Sequence, residues 1–193
     1  MPTDRLTDAV DRAVALVRTA EPRCGATVVI AVDGRSGTGK TTYAGVLAAA
    51  LEAPLVHLDD IYPGWDGLTA AVTMVERDVL ALLAIGETAS YETWDWALDR
   101  PGERVLVPAT SILVLEGVGA AAQPAGDHAA VVIWLEADDA IRKDRALTRD
   151  GAVFAQEWDR WAAQEATLFA DDEVRDRADL VVDTTSWTEP DGS

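Results

Sequence analysis

The chain has 193 residues, in which 34 Asp and Glu outnumber 16 Lys and Arg and give a net charge of -18. Proteins that bind nucleic acid or anionic membranes carry basic patches, so this balance excludes a general role on either and favours small-molecule partners. With 49% hydrophobic and 26% charged residues the composition is globular, and the length is that of one domain able to bury its own core. The single cysteine, Cys24, allows no internal disulfide and asks for no oxidising compartment.

Asp and Arg are scattered through the first 22 residues, which neither a signal peptide's apolar stretch nor a membrane span would tolerate, so the cytoplasm is the expected location. Leu6, Val10, Val14 and Val17 recur at helical spacing and predict an amphipathic helix within 1–24 that ends near Glu21-Pro22. The apolar run 27–32 then predicts a strand. It is followed by Asp33 and by Gly34-Arg35-Ser36-Gly37-Thr38-Gly39-Lys40-Thr41, which fits the phosphate-binding pattern GxxxxGK[ST]; residues 42–51 read as a helix.

The chemistry accounts for that spacing. Glycines let the chain curl until successive main-chain N–H groups point at one phosphate, and the helix that starts there adds its positive end. Gly34, Ser36, Gly37, Thr38, Gly39 and Thr42 are therefore candidate phosphate ligands, Lys40 would reach the β- and γ-phosphates, and the Thr41 hydroxyl would ligate Mg²⁺. Asp33, just before the loop, reads as a group that orients it. Only two lysines exist in the chain, Lys40 and Lys143, and one of them stands in this motif.

Beyond the loop, strands and helices alternate. Strands are expected at 54–58, 111–115, 130–135 and 180–182, with an extra short one at 105–107; helices are expected at 69–84, 138–149 and 155–169. Continuous apolar strands between helices indicate a five-stranded parallel sheet covered on both faces, a three-layer α/β fold in a single domain spanning 1–193, with a polar loose tail at 188–193.

In such sheets ligands bind beyond the carboxyl ends of the strands. Asp59 and Glu116 stand at the ends of two different strands, as a base and a metal-positioning acid must if both are to face the loop, whereas Asp60 and Asp33 are weaker candidates. Arg142, Arg145 and Arg149 fall at i, i+3 and i+7, one face of a helix begun by Asp138-Asp139, within a lid segment at 138–151. They could neutralise a transferring phosphoryl group or simply pair with acids on a solvated helix. Trp94 and Trp96 alternate around Asp95, so an extended segment would put both rings on one face, which suits a core as well as a pocket. Trp158, Trp161 and Leu168 read as core, with Gln164 and Glu165 as further candidates for an acceptor site. His57 and His128 show no ligand spacing.

The order of these segments carries a resemblance. The phosphate loop, Asp59-Asp60-Ile61-Tyr62, Tyr91-Glu92-Thr93-Trp94-Asp95-Trp96 with Arg100, Leu115-Glu116-Gly117, the Arg-bearing segment 141–151 and Ala178-Asp179-Leu180-Val181-Val182 occur as they do in uridine kinases. From about residue 26 to 185 the chain resembles a uridine kinase-like P-loop kinase, which implies the P-loop NTPase fold and ATP with Mg²⁺. The resemblance implies Asp59 as the base that takes the acceptor's proton and Glu116 as the acid that helps Thr41 hold Mg²⁺. It implies Tyr62, Trp94, Asp95, Trp96 and Arg100 as the acceptor pocket, Arg145 and Arg149 as catalytic lid arginines beside Lys40, and Arg142 as a further nucleotide contact. The acceptor half departs from that family. Ile61 and then Pro63-Gly64-Trp65-Asp66-Gly67 replace its usual continuation, and Ala97, Leu98 and Asp99 stand where it carries a base-contacting histidine.

The expected activity is ATP-dependent phosphoryl transfer to the hydroxyl of a small molecule, a nucleoside such as uridine or cytidine first. Another hydroxylated metabolite or an antibiotic-like compound is the alternative. From a different class, a P-loop ATPase or switch acting on a macromolecule is also compatible with the loop. A GTPase would be expected to carry Asn-Lys-x-Asp, which the sequence lacks. Homo-oligomerisation stays open.

Overall fold

The computed structural model describes residues 2–187, so the loose tail expected at 188–193 lies outside the described residues. Helix α1 spans Pro2–Val17, strand β1 Val28–Asp33, helix α2 Lys40–Leu51 and strand β2 Leu55–His57. A 3₁₀ turn, Leu58–Asp60, leads towards α3 at Leu68–Val75, a π turn at Glu76–Leu80 and α4 at Ala81–Ala84. Strands β3 (Ala89–Asp95), β4 (Arg100–Val107), β5 (Ile112–Glu116) and β6 (Ala129–Glu136) follow, then α5 (Asp139–Asp172) and β7 (Leu180–Asp183).

Five strands form one parallel sheet in the order β2-β5-β1-β6-β7, and β3 pairs with β4 as a separate antiparallel hairpin. The central strand shows why both faces are covered. Val29 and Ala31 join a core with Leu68, Val72, Leu80, Trp158 and Trp161, whereas Ile30 and Val32 join a second core with Ala9, Val10, Tyr43 and Leu47. Alternation with a period of two thus divides one strand between two layers, and each fully buried Ile or Leu contributes about 1.5–3 kcal/mol.

Several elements differ from the sequence expectation. Helix α1 stops at Val17, short of Glu21-Pro22, because its buried stripe ends there and the chain tightens through Thr19 N–H to Leu16 O and Ala20 N–H to Val17 O. The expected strand at 105–107 is the end of the eight-residue β4, which is exposed at every position but Val107 and so carries no alternating pattern. The two helices expected at 138–149 and 155–169 are one element, α5, interrupted at Gly151, whose φ of 69° and ψ of -153° are not helical. Among the described residues no helix is long and apolar enough to cross a membrane.

Candidate active site

The loop between β1 and α2 takes its shape from main-chain chemistry. Gly37 adopts a φ of 80°, and a Cβ there would run into the carbonyl oxygen of Arg142. Gly39, also left-handed, leads directly into the first turn of α2. Asp33, fully buried, accepts from the N–H groups of Gly34 at 2.6 Å, Gly119 at 2.9 Å and Ala121 at 2.9 Å. It therefore ties the start of the loop to the segment that follows β5. Burial pushes its carboxyl up to about 6, against the opposing pull of those three N–H groups and Lys40.

Lys40 is nearly buried and donates to Arg35 O at 3.0 Å. Thr41 donates its hydroxyl to Glu116 Oε1 at 3.3 Å, and the same oxygen meets His57 Nδ1 at 2.6 Å. Glu116 ends β5 and His57 ends β2, adjacent strands whose register sets these two residues side by side. The hydrogen bond to Glu116 raises the His57 pKa, with the charges of Glu116, Asp60 and Asp59 adding to it and burial opposing. Among the described residues no group of three or more His, Cys, Asp or Glu side chains is placed to hold a metal. Magnesium does not need one, since it is commonly held by one or two protein oxygens together with substrate phosphates and water. Thr41 and Glu116 supply hard oxygens of that type next to the loop.

Asp59 sits in the 3₁₀ turn after β2. Although the residue is open to the cleft, desolvation by the surrounding walls raises its carboxyl above the ordinary range, and Glu116 raises it further while Lys40 and Arg149 oppose. Asp59 borders two spaces. One is a recess of about 30 Å³ against Gly37, Lys40, Thr41 and Glu116. The other is a cleft of about 350 Å³ walled by Tyr62, Trp65, Trp96, Phe154 and Trp161. Ser36 and Arg149 also border both. A larger cavity of about 470 Å³ lies between Arg35, Trp134, Phe169 and Arg175, but Lys40, Asp59 and Glu116 are absent from its walls.

The three arginines expected in a lid, Arg142, Arg145 and Arg149, all stand beside the glycine-rich loop, in different states. Arg142 is buried, donates to Asp139 at 2.7 Å and to Ser36 O at 3.5 Å, and packs over the Trp158 ring at 5.3 Å. Arg145 donates to the main-chain oxygens of Thr184, Thr185 and Trp187 at 3.0, 3.3 and 2.6 Å. It also borders a recess of about 160 Å³ with Gly39, Thr42 and Arg149. Arg149 pairs with Asp150 at 2.7 Å, a bond that raises its already high pKa, helped by Asp59 and Glu116.

The acceptor candidates separate. Tyr62 presents its ring to the cleft while its hydroxyl donates to Val118 O at 2.9 Å, and Trp96 lies in the cleft wall with its indole N–H donated to Asp59 O at 2.9 Å. Strand β3 ends at Asp95, so Trp96 lies in the following turn and does not share a strand face with Trp94. Asp95 accepts from the N–H groups of Ala97 and Leu98, both at 3.0 Å, and thereby shapes that turn. Arg100, exposed and opposite Asp95 in the hairpin, does not line the cleft, and neither does Trp94 or Asp60. Gln164 donates to Trp65 O at 2.6 Å. Glu165, fully buried, accepts from the Ser36 N–H at 2.8 Å, behind the phosphate loop and outside the cleft.

The sequence does not single out Trp65, Phe154 or the His57–Glu116 pair as parts of the site. The resemblance points to Tyr62 and Trp96 of the wall, but for Phe154 the signal is an aromatic spacing along α5 that is equally the signal of a core.

The loop, the strand order and the covered sheet define the P-loop NTPase-like α/β fold. The chain superposes on a possible uridine kinase from Bacillus stearothermophilus with a TM-score of 0.68 at 18% identity, over 92% of this chain and 99% of the other. It is similar also to a protein described as a putative fructose transport system kinase from Silicibacter sp. TM1040, with a TM-score of 0.56 at 19% identity over 92% and 98% of the two chains. No family model matches the chain, and no curated protein matches it either.

Proposed function

We propose that the protein is an ATP-dependent kinase that transfers the γ-phosphoryl group to a hydroxyl of a small molecule. One observation carries this reading: Ser36, Asp59 and Arg149 border both the phosphate-side recess and the aromatic cleft, so a donor and an acceptor would meet at Asp59. The loop amides and Lys40 hold the phosphates, exchanging the Arg35 carbonyl for a phosphate oxygen. Mg²⁺, when bound, neutralises charge on the phosphate oxygens, and Thr41 with Glu116 would hold it. His57 keeps the Glu116 carboxylate turned towards Thr41.

Asp59 accepts the acceptor's hydroxyl proton as the new O–P bond forms and the bond to the bridging oxygen of ADP breaks. Its raised pKa brings it nearer to neutral pH, where a base is most effective. Arg149 is placed to meet charge that develops on the transferring group. A nucleoside such as uridine or cytidine is the acceptor that the sequence resemblance implies. The cytoplasm remains the location proposed from the sequence.

The test is ADP release measured across nucleosides, sugars, aminoglycosides and pantothenate-like alcohols, in wild type and Asp59→Asn. A kinase stays nearly idle until its acceptor is supplied. Base catalysis typically contributes 10²–10⁴-fold, so the variant should lose roughly a hundredfold or more with the best acceptor. Equal rates in the two proteins would remove Asp59 from the role of base.

A further inference from the structure

The cleft has few polar side chains. Ser36, Asp59 and Arg149 also border the phosphate recess, Asp150 pairs with Arg149, and the remaining lining residues are Tyr62, Trp65, Trp96, Val153, Phe154 and Trp161. Trp65 organises that wall. Its ring lies 4.8 Å from Trp96 and 5.6 Å from Phe154, nearly parallel to the latter at 22°, with Trp161 edge-on at 6.3 Å.

A nucleobase is recognised by neutral donors and acceptors matched to its edge. None of the ten lining residues is Asn, Gln, His or Thr, and the one small neutral hydroxyl, that of Ser36, belongs to a residue that also borders the phosphate recess. The polar groups closest to such a task are committed elsewhere: the Tyr62 hydroxyl to Val118 O, the Trp96 N–H to Asp59 O and the neighbouring Gln164 amide to Trp65 O. Arg149 and Asp150 are joined to each other by two hydrogen bonds at 2.7 Å. Ring surface is left, chiefly that of Trp96 and the partly buried Trp65 backed by the buried Phe154 and Trp161; such surface binds flat bodies through stacking and burial, and a buried ligand amide or carbonyl without a partner there is penalised.

We infer that the acceptor is an alcohol carried on a flat, apolar ring system, held by stacking in the Trp65–Trp96–Phe154–Trp161 wall, with its hydroxyl directed to Asp59. This rests on the kinase reading and replaces the nucleoside within it. Asp59 takes the reacting hydroxyl, and the rings select the body. Val153, 66% exposed on the cleft wall, is the position at which an added amide would begin to supply base-edge recognition.

The experiment pairs binding with turnover. Naphthylethanol, uridine and ribitol are titrated calorimetrically into the protein with Mg·ADP present, and ADP release from ATP is followed with each. Naphthylethanol should bind at least about tenfold more tightly than uridine, a difference of about 1.4 kcal/mol, and ribitol should not bind measurably. Trp96→Ala should weaken naphthylethanol several-fold. Val153→Asn should narrow the gap between naphthylethanol and uridine, and thermal melting of both variants checks that the fold is kept. Uridine binding as tightly as naphthylethanol and driving ADP release would overturn the inference and leave the kinase reading intact. Tight naphthylethanol binding with no ADP release from any acceptor would uphold the stacking site and instead count against the kinase reading. An unchanged naphthylethanol affinity in Trp96→Ala would also overturn the inference.

Discussion

The two halves of the site are built from different material. On the proposed donor side the groups offered are main-chain amides in one continuous loop, tied down by the buried Asp33 and joined by Lys40, Thr41 and Glu116. On the proposed acceptor side they are aromatic side chains brought from three segments, near Trp65, at Trp96 and along α5 from Phe154 to Trp161. A main-chain cradle depends on spacing, on glycine and on the few side chains that tie it down, Asp33 and Glu165 among them. A side-chain wall changes its preference with each residue, so the donor half can stay constant while the acceptor half diverges.

The sharpest way to break this contrast is Lys40→Ala, which should lower the turnover rate by roughly a thousandfold whatever the acceptor, because it removes a charged group from the transferring phosphates. Asp59→Asn should cost roughly a hundredfold or more, again for all acceptors. In wild type the acid limb of kcat/KM should lie above the usual carboxylate range, since Asp59 is held upward and must be ionised to act. Glu165→Ala removes a charged partner from both the Ser36 N–H and Arg142, whose guanidinium lies 3.8 Å away. The KM for ATP should rise about tenfold with the acceptor KM little changed, and Glu165→Gln, which still accepts from Ser36, should recover part of the loss. Trp96→Ala should do the reverse, raising the acceptor KM several-fold and sparing ATP.

The smallest effect concerns stability. Asp33 holds its proton more tightly folded, at about 6, than at its ordinary value of 3.8. Its contribution is therefore fully present below 3.8 and is lost as the pH rises through about 6. Melting temperatures of wild type and Asp33→Asn, compared across that window, should show a decline with rising pH in wild type that is weaker in the variant.

The same contrast decides what the sequence makes legible. The β-branched runs and the loop motif are local, so the five parallel strands, the start of α2 and the positions of Asp59 and Glu116 at strand ends can all be read from spacing. The β3–β4 hairpin is hard to read because its second strand is almost wholly exposed and lacks alternation. Asp95 shows the limit of reading type without context, since a carboxylate suited to a ligand is used to shape a turn. Arg145 shows it too. Its place on a helix face follows from the sequence, but its hold on the oxygens of Thr184, Thr185 and Trp187 depends on where β7 delivers the chain. Glu165 lies 129 residues from the loop peptide it binds, a pairing that no local pattern encodes.

The Ser36 residue is gripped from two sides by the same helix. Arg142, before the Gly151 break in α5, donates to its carbonyl, and Glu165, well after the break, accepts from its N–H. Between those anchors lie Phe154 and Trp161 of the aromatic wall. The helix thus acts as a jointed beam pinned at both ends to one residue of the phosphate loop. Phe154 and Trp161 are therefore carried on a span whose contacts to the loop fall on one residue, Ser36, and whose one non-helical joint is Gly151.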